Sequence, residues 1–229
     1  MSSIESVTLE VPDPAAADTF YRTALDLDAR VRVREAQAPT TGFRGFAMSL
    51  VVSQPSIVDS FFRTALDGGA TTLKPAAKGF WGYGGVLCDP YGTIWKIASS
   101  SKKDSGPVSR HIDDVVLLLG VADVAVTKRF YVERGLSVAK SFGRKYVEFA
   151  TSPVKLALYG RRAAAKDAGV SPDGSGSHRL AIGSSAGTFT DPDGFQWEAA
   201  TSASTSAGRF GEAASAGVRA GGADPNSGL

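Results

Sequence analysis

The sequence predicts an α+β protein made of two copies of one strand–helix–strands unit. Two observations carry that reading. First, Asp89-Pro90-Tyr91-Gly92-Thr93-Ile94-Trp95-Lys96 recurs as Asp191-Pro192-Asp193-Gly194-Phe195-Gln196-Trp197-Glu198, about 102 residues further on, an offset of domain size. Second, each copy closes the same series of elements: an apolar strand, an aspartate, a helix with an adjacent aromatic pair, and several short strands. With 43% hydrophobic and 21% charged residues among 229, the chain has enough apolar content to bury a core.

The first unit spans 1–101. Ile4-Glu5-Ser6-Val7-Thr8-Leu9-Glu10-Val11 alternates polar and apolar, as a half-buried strand does. Asp13-Pro14 reads as a helix N-cap followed by proline at the first helical position. Ala16, Phe20 and Ala24 then share a helix face, with Ala17 and Tyr21 beside them. Ala29 to Arg34 alternates again and reads as a strand, and Phe46 to Val52 is an apolar strand. Pro55 opens a second helix, on which Ile57, Phe61 and Ala65 share a face, and Gly68-Gly69 stops it. Short strands follow through Val86-Leu87 and Thr93 to Ala98. The Ser, Lys, Gly and Pro residues around 102–109 lack periodicity and form the linker.

The second unit spans 110–201. Ile112 to Leu119 is an apolar strand, and Asp123 is the N-cap of a helix that Gly135 stops. Strands follow at Val138-Ala139, Tyr146 to Phe149 and Lys155 to Tyr159. Residues 160–177 are polar and glycine-rich and read as a loop. Strands at His178 to Ile182 and Phe195 to Ala199 complete the unit. Residues 202–229 are Ala, Gly and Ser with few large apolar side chains, so they are expected to be a disordered tail.

Composition removes several function classes. Lys plus Arg is 25 and Asp plus Glu is 23, a net charge of +2, too little positive charge to suggest a nucleic-acid surface. No apolar run reaches the roughly 20 residues that span a bilayer, and no basic-then-apolar signal segment opens the sequence. The one cysteine, Cys88, permits no internal disulfide, which fits a reducing, cytoplasmic setting. A partner is therefore expected to be a small molecule, with the chain a monomer or a homodimer.

The order of these motifs and their double occurrence resemble the vicinal oxygen chelate superfamily, the glyoxalase, bleomycin-resistance and dioxygenase group. The motifs are a strand of the form Ile-x-x-Val-x-Leu-x-Val, an aspartate, a helix bearing Phe-Tyr, and a closing Asp-Pro-x-Gly. The resemblance implies tandem glyoxalase-like domains built from paired βαβββ modules that curl around a cleft. The last module is truncated, because the span from His178 to Asp191 is about 29 residues shorter than its counterpart in the first unit.

The resemblance also implies metal ligands on the first, fifth and last strands of a domain. In the first unit these positions fall on Ser6, on Phe46 or Ala47, and on Lys96, none of which suits a divalent ion. In the second unit they fall on Asp114, His178 and Glu198, all competent ligands for Zn, Ni, Mn or Fe(II). A metal there would act as a Lewis acid on neighbouring substrate oxygens. An extradiol dioxygenase fits less well, since its iron wants two histidines, and of His111 and His178 only His178 is suitably placed.

Tyr146 and Glu148 share a strand face. If that face lines the cleft, Glu148 joins Glu198 as a candidate catalytic acid or base. Phe46, Trp81, Tyr83, Trp95 and Tyr146 are candidate substrate contacts, Trp81 and Tyr83 from the glycine-rich stretch Gly79 to Gly85. Arg30, Arg32 and Arg34 read as a solvated strand face and Cys88 as a small core residue. Two functions follow: a metal-dependent lyase or isomerase acting on a small oxygenated substrate, and a non-catalytic small-molecule or antibiotic-binding protein of the bleomycin-resistance kind.

Overall fold

A computed structural model describes residues 3–80 and 82–200 of the chain. Trp81 and the proposed tail, 202–229, lie outside the described residues.

The chain begins with β1 (Ile4–Val11), α1 (Pro14–Leu25), β2 (Val31–Glu35) and β3 (Thr40–Gly42). It continues through β4 (Phe46–Val51), α2 (Pro55–Asp67), β5 (Thr71–Gly79), β6 (Gly82–Cys88) and β7 (Ile94–Ser99). The second half opens with β8 (Asp114–Val121), α3 (Val124–Glu133), β9 (Val138–Phe142), β10 (Tyr146–Phe149) and β11 (Val154–Gly160). It ends with α4 (Arg161–Ala168), β12 (Gly174–Gly176), β13 (Leu180–Ser184), β14 (Phe189–Thr190) and β15 (Gln196–Ala199).

The helix starts follow from local chemistry. Asp13 accepts a hydrogen bond from the Ala16 amide at 3.0 Å, and Pro14 opens α1. Asp123 does the same for α3, accepting from the amides of Ala125 and Val126. The buried face of α1 carries Ala17, Phe20, Tyr21 and Ala24, and that of α2 carries Ile57, Val58, Phe61 and Ala65.

The strands are not sorted between sheets by sequence half. An eight-stranded sheet runs β5-β6-β7-β4-β8-β11-β10-β9. It contains two complete βαβββ modules, one from each half, joined where β4 and β8 pair antiparallel from Phe46–Leu119 to Val51–Asp114. The outer segments supply a five-stranded sheet, β14-β15-β13-β1-β2. Both outer modules are reduced: β1, α1 and β2 lack later strands in that sheet, and β13 is followed only by β14 and β15. One large core, which includes Leu9, Phe46, Trp95, Leu117, Tyr131 and Trp197, lies beneath both sheets.

The duplicated octapeptide is a folding device. Asp89 is 4% exposed and accepts from the Tyr21 hydroxyl (2.7 Å), the Trp95 indole (2.9 Å) and the amides of Tyr91 and Thr93. Asp191 accepts from the Tyr131 hydroxyl and from the amides of Asp193 and Phe195. In each half the helix tyrosine is thus pinned to the aspartate of the distant turn. Burial pushes both carboxyls up from their ordinary value.

Residues 160–177 are not the loop the composition suggests, since they hold α4 and β12. The buried face of α4 is made of alanines, Ala165 and Ala168, so the large-apolar periodicity that marks a helix in sequence is absent. Nor does the strand near 178 begin at His178, because Arg179 has a positive φ of 52° and β13 starts at Leu180.

Candidate functional site

One face of the eight-stranded sheet covers the core, and the other forms a cleft. On the cleft face, strand register aligns Val86, Lys96, Ser49, Val116 and Lys155 in one row. A further row holds Tyr146 beside Tyr159 and Gly120. Helix α4 lies directly on this face. Ala165 and Ala168 pack with Phe43, Val86 and Ile94 in a small separate apolar cluster. A Cβ on Gly120 would meet the Ala164 Cβ at 2.9 Å, so glycine sets how closely α4 seats.

Polar contacts hold α4 in place. Lys96 Nζ lies 2.7 Å from Asp167 Oδ2. Lys74 Nζ donates to the carbonyls of Lys166 (2.6 Å) and Asp167 (2.7 Å) in the last turn. Arg161 donates to the carbonyls of Phe43 (2.6 Å) and Pro172 (3.0 Å). What remains between α4 and the sheet is nearly closed, about 10 Å³ beside Lys96 and Tyr159.

At the end where α4 begins, the cleft opens to about 1090 Å³. Its walls include Tyr146 and Tyr159 on the sheet, Arg144 and Lys145 on the β9–β10 turn, Arg162 on α4, and Asp173 opposite. The two tyrosine rings meet edge to face, 4.9 Å between centroids. The Tyr146 hydroxyl donates to Glu148 Oε2 at 3.0 Å. Burial, reinforced by the Glu148 carboxylate, pushes the Tyr146 phenol far up, and burial with Asp167 and Glu148 nearby raises Tyr159. Both phenols therefore stay protonated at neutral pH and can donate.

The three expected metal ligands do not meet. Asp114 starts β8 in the eight-stranded sheet, where its Oδ2 is 2.7 Å from Lys155 Nζ. Glu198 lies on β15 in the other sheet, where its Oε1 is 2.7 Å from Arg34 Nη1. The same guanidinium also holds Glu10, at 2.7 Å from Nη2. His178 stacks on Phe195, ring centroids 4.0 Å apart. Its Nδ1 lies 2.5 Å from the Arg44 carbonyl and its Nε2 2.9 Å from the Asp193 carbonyl. A neutral imidazole carries one N–H, so one of these contacts is a hydrogen bond, and both ring nitrogens face carbonyl oxygens rather than Asp114 or Glu198. Among the described residues no three His, Cys, Asp or Glu side chains are grouped to hold a metal ion. In this arrangement the two carboxylates face cations and the imidazole faces two carbonyls.

The other candidates separate by strand face. Phe46 and Trp95 point into the core, 2% and 0% exposed, because alternation turns them away from the cleft. Tyr83 donates from its hydroxyl to Asp59 Oδ1 at 2.7 Å. Ser6 is buried on β1. Tyr146 lines the cleft, and Glu148 sits behind it as its acceptor. Burial and Asp89 raise the Cys88 thiol, which disfavours its thiolate form. Sequence reasoning missed Arg162 and the pairing of Tyr159 with Tyr146. The first sits in the misread helix, and the second depends on a strand register that alternation alone does not supply.

No protein-family model and no curated protein sequence matches the chain. Solved structures do. Glyoxalase I from Zea mays is similar at 13% identity and a TM-score of 0.54, over 86% of this chain and 91% of that one. A single-residue variant of the same enzyme gives 14% identity and 0.53 over the same shares. A glyoxalase/bleomycin resistance protein/dioxygenase family enzyme from Burkholderia phytofirmans is 17% identical, covering 43% of this chain and 98% of that one, with a TM-score of 0.35. The chain has the fold of glyoxalase I.

Proposed function

We propose that the protein binds a small molecule in the cleft beside α4 and does so without a metal. One observation carries the reading. Helix α4 occupies the cleft face of the eight-stranded sheet and leaves, where it begins, a broad opening walled by Tyr146 and Tyr159. A concave, largely apolar surface with a few polar groups at its rim is the usual form of a small-molecule site. The commitments of Asp114, His178 and Glu198 favour this reading over a metal-dependent lyase or isomerase. The three side chains already serve as internal partners, each within its own sheet or turn.

The test has two parts. Elemental analysis of native protein is expected to find no stoichiometric Zn, Ni, Mn or Fe. Added divalent ions are expected to leave Tm unchanged, because a ligand of the folded state alone would raise it. One equivalent of metal, lost in Glu198→Ala, would overturn the metal-free reading. A fragment screen by protein-observed NMR is expected to shift signals of Tyr146 and Tyr159. A screen in which no fragment moves them would overturn the assignment of the cleft.

A further inference from the structure

The opening beside α4 carries a charge pattern that its surroundings neutralise only in part. Its lining holds four cations, Arg144, Lys145, Arg161 and Arg162, against one carboxylate, Asp173. Arg144 is satisfied by Asp123 at 2.9 Å, and Asp173 already accepts from the Ser171 hydroxyl. Arg161 spends its guanidinium on two backbone carbonyls and brings no acid with it. Lys145 and Arg162 have no acid partner among the described residues. With Asp123 set against Arg144, and Asp173 and Glu148 against the other three cations, the opening keeps a net positive charge.

The sheet wall adds shape. Tyr146 and Tyr159 are fixed by each other, by the Tyr146–Glu148 hydrogen bond and by their place in a paired strand register. Phe142 extends the aromatic surface, 6.0 Å from Tyr146 and 57% exposed. An aromatic wall of this kind favours a flat π-system against it. The Tyr159 hydroxyl makes no hydrogen bond among the described residues, which leaves a donor beside the cations.

Resting on the proposal that this cleft binds a small molecule, we infer that its ligand is a flat aromatic carboxylate, with the ring against Tyr146 and Tyr159 and the anionic group toward Lys145 and Arg162. A carboxylate matches the guanidinium fork of Arg162 and the point charge of Lys145. Selectivity over a neutral ring would come from the cations, and selectivity over a saturated anion from the tyrosines.

The experiment titrates the full chain with 2-naphthoate, 2-naphthamide and decahydro-2-naphthoate, reading Kd by calorimetry and location by NMR. The expected order places 2-naphthoate at least ten-fold tighter than either control, a difference of about 1.4 kcal/mol. Raising salt should weaken the naphthoate and leave the amide unchanged. Arg162→Glu and Lys145→Glu should each weaken the naphthoate several-fold. Arg22→Glu, the same charge change on the far exposed face of α1, should not. If the amide or the saturated acid binds as tightly at the same tyrosines, the aromatic-anion inference falls while the cleft remains a small-molecule site. If none of the three perturbs Tyr146 or Tyr159, both the inference and the assignment of the cleft fall.

Discussion

His178→Ala separates a metal ligand from a structural pin. In the folded chain the imidazole joins three segments: its Nδ1 meets the Arg44 carbonyl, its Nε2 meets the Asp193 carbonyl, and its ring stacks on Phe195. The one N–H of a neutral imidazole makes a single hydrogen bond to these carbonyls, worth about 0.5–1.5 kcal/mol. The ring stack adds roughly 0.5–1.5 kcal/mol beyond area burial. Together these give a total of about 1–3 kcal/mol. For a folded unit of this size each kcal/mol lowers Tm by roughly 2–4 °C, so the loss should be on the order of 2–12 °C. The assay is a thermal melt by circular dichroism with and without added Zn, Ni or Mn, with elemental analysis of both proteins. A structural pin predicts a lower Tm that no metal restores and no change in metal content. A Tm within a degree or two of wild type, together with metal present in wild type and absent from the variant, would refute the reasoning.

Other expectations follow from the same contacts. Asp191→Ala strands the Tyr131 hydroxyl and two amides in the core, so it should cost about 3–5 kcal/mol in denaturant melts, well above the roughly 1 kcal/mol expected of Tyr131→Phe. Asp123 is held below the usual carboxylate range by the Ala125 and Val126 amides and by Arg144. Its folded pKa is depressed, so its stabilising effect is present above the unfolded value near 4 and is lost as pH falls through the folded one. The stability gap between wild type and Asp123→Asn should therefore shrink on acidification below about pH 4, as melts at several pH values would show. Ala165→Glu should drive α4 off the sheet, since a charge cannot be buried among Phe43, Val86 and Ile94, and should raise binding of a hydrophobic dye. Lys96→Met should change stability by less than about 1 kcal/mol, because the Lys96–Asp167 pair is about a third to a half exposed.

Much of the architecture could be read from residues close together in the chain. The alternation of Ile4–Val11, the caps at Asp13 and Asp123, and the face shared by Ile57, Phe61 and Ala65 each act within one element, and each stands where it was read. The repeated Asp-Pro-x-Gly turn with its Phe-Tyr helices was legible as a duplication. Its physical basis, a buried carboxylate gripping a helix tyrosine 68 residues away in the first half, was not.

The sequence by itself determined the α+β class, the repeated Asp-Pro-x-Gly octapeptide and most elements. Local propensity and periodicity are carried by neighbouring residues and need no partner to be seen. Tertiary structure alone decided that strands from both halves share one sheet and that α4 seats on its cleft face. It also decided that Asp114, His178 and Glu198 lie among separate partners and that Tyr146 and Tyr159 form one wall. These depend on register and on small-residue packing. A helix buried through alanines and a sheet joined across the repeat leave almost no periodic trace in the chain that forms them.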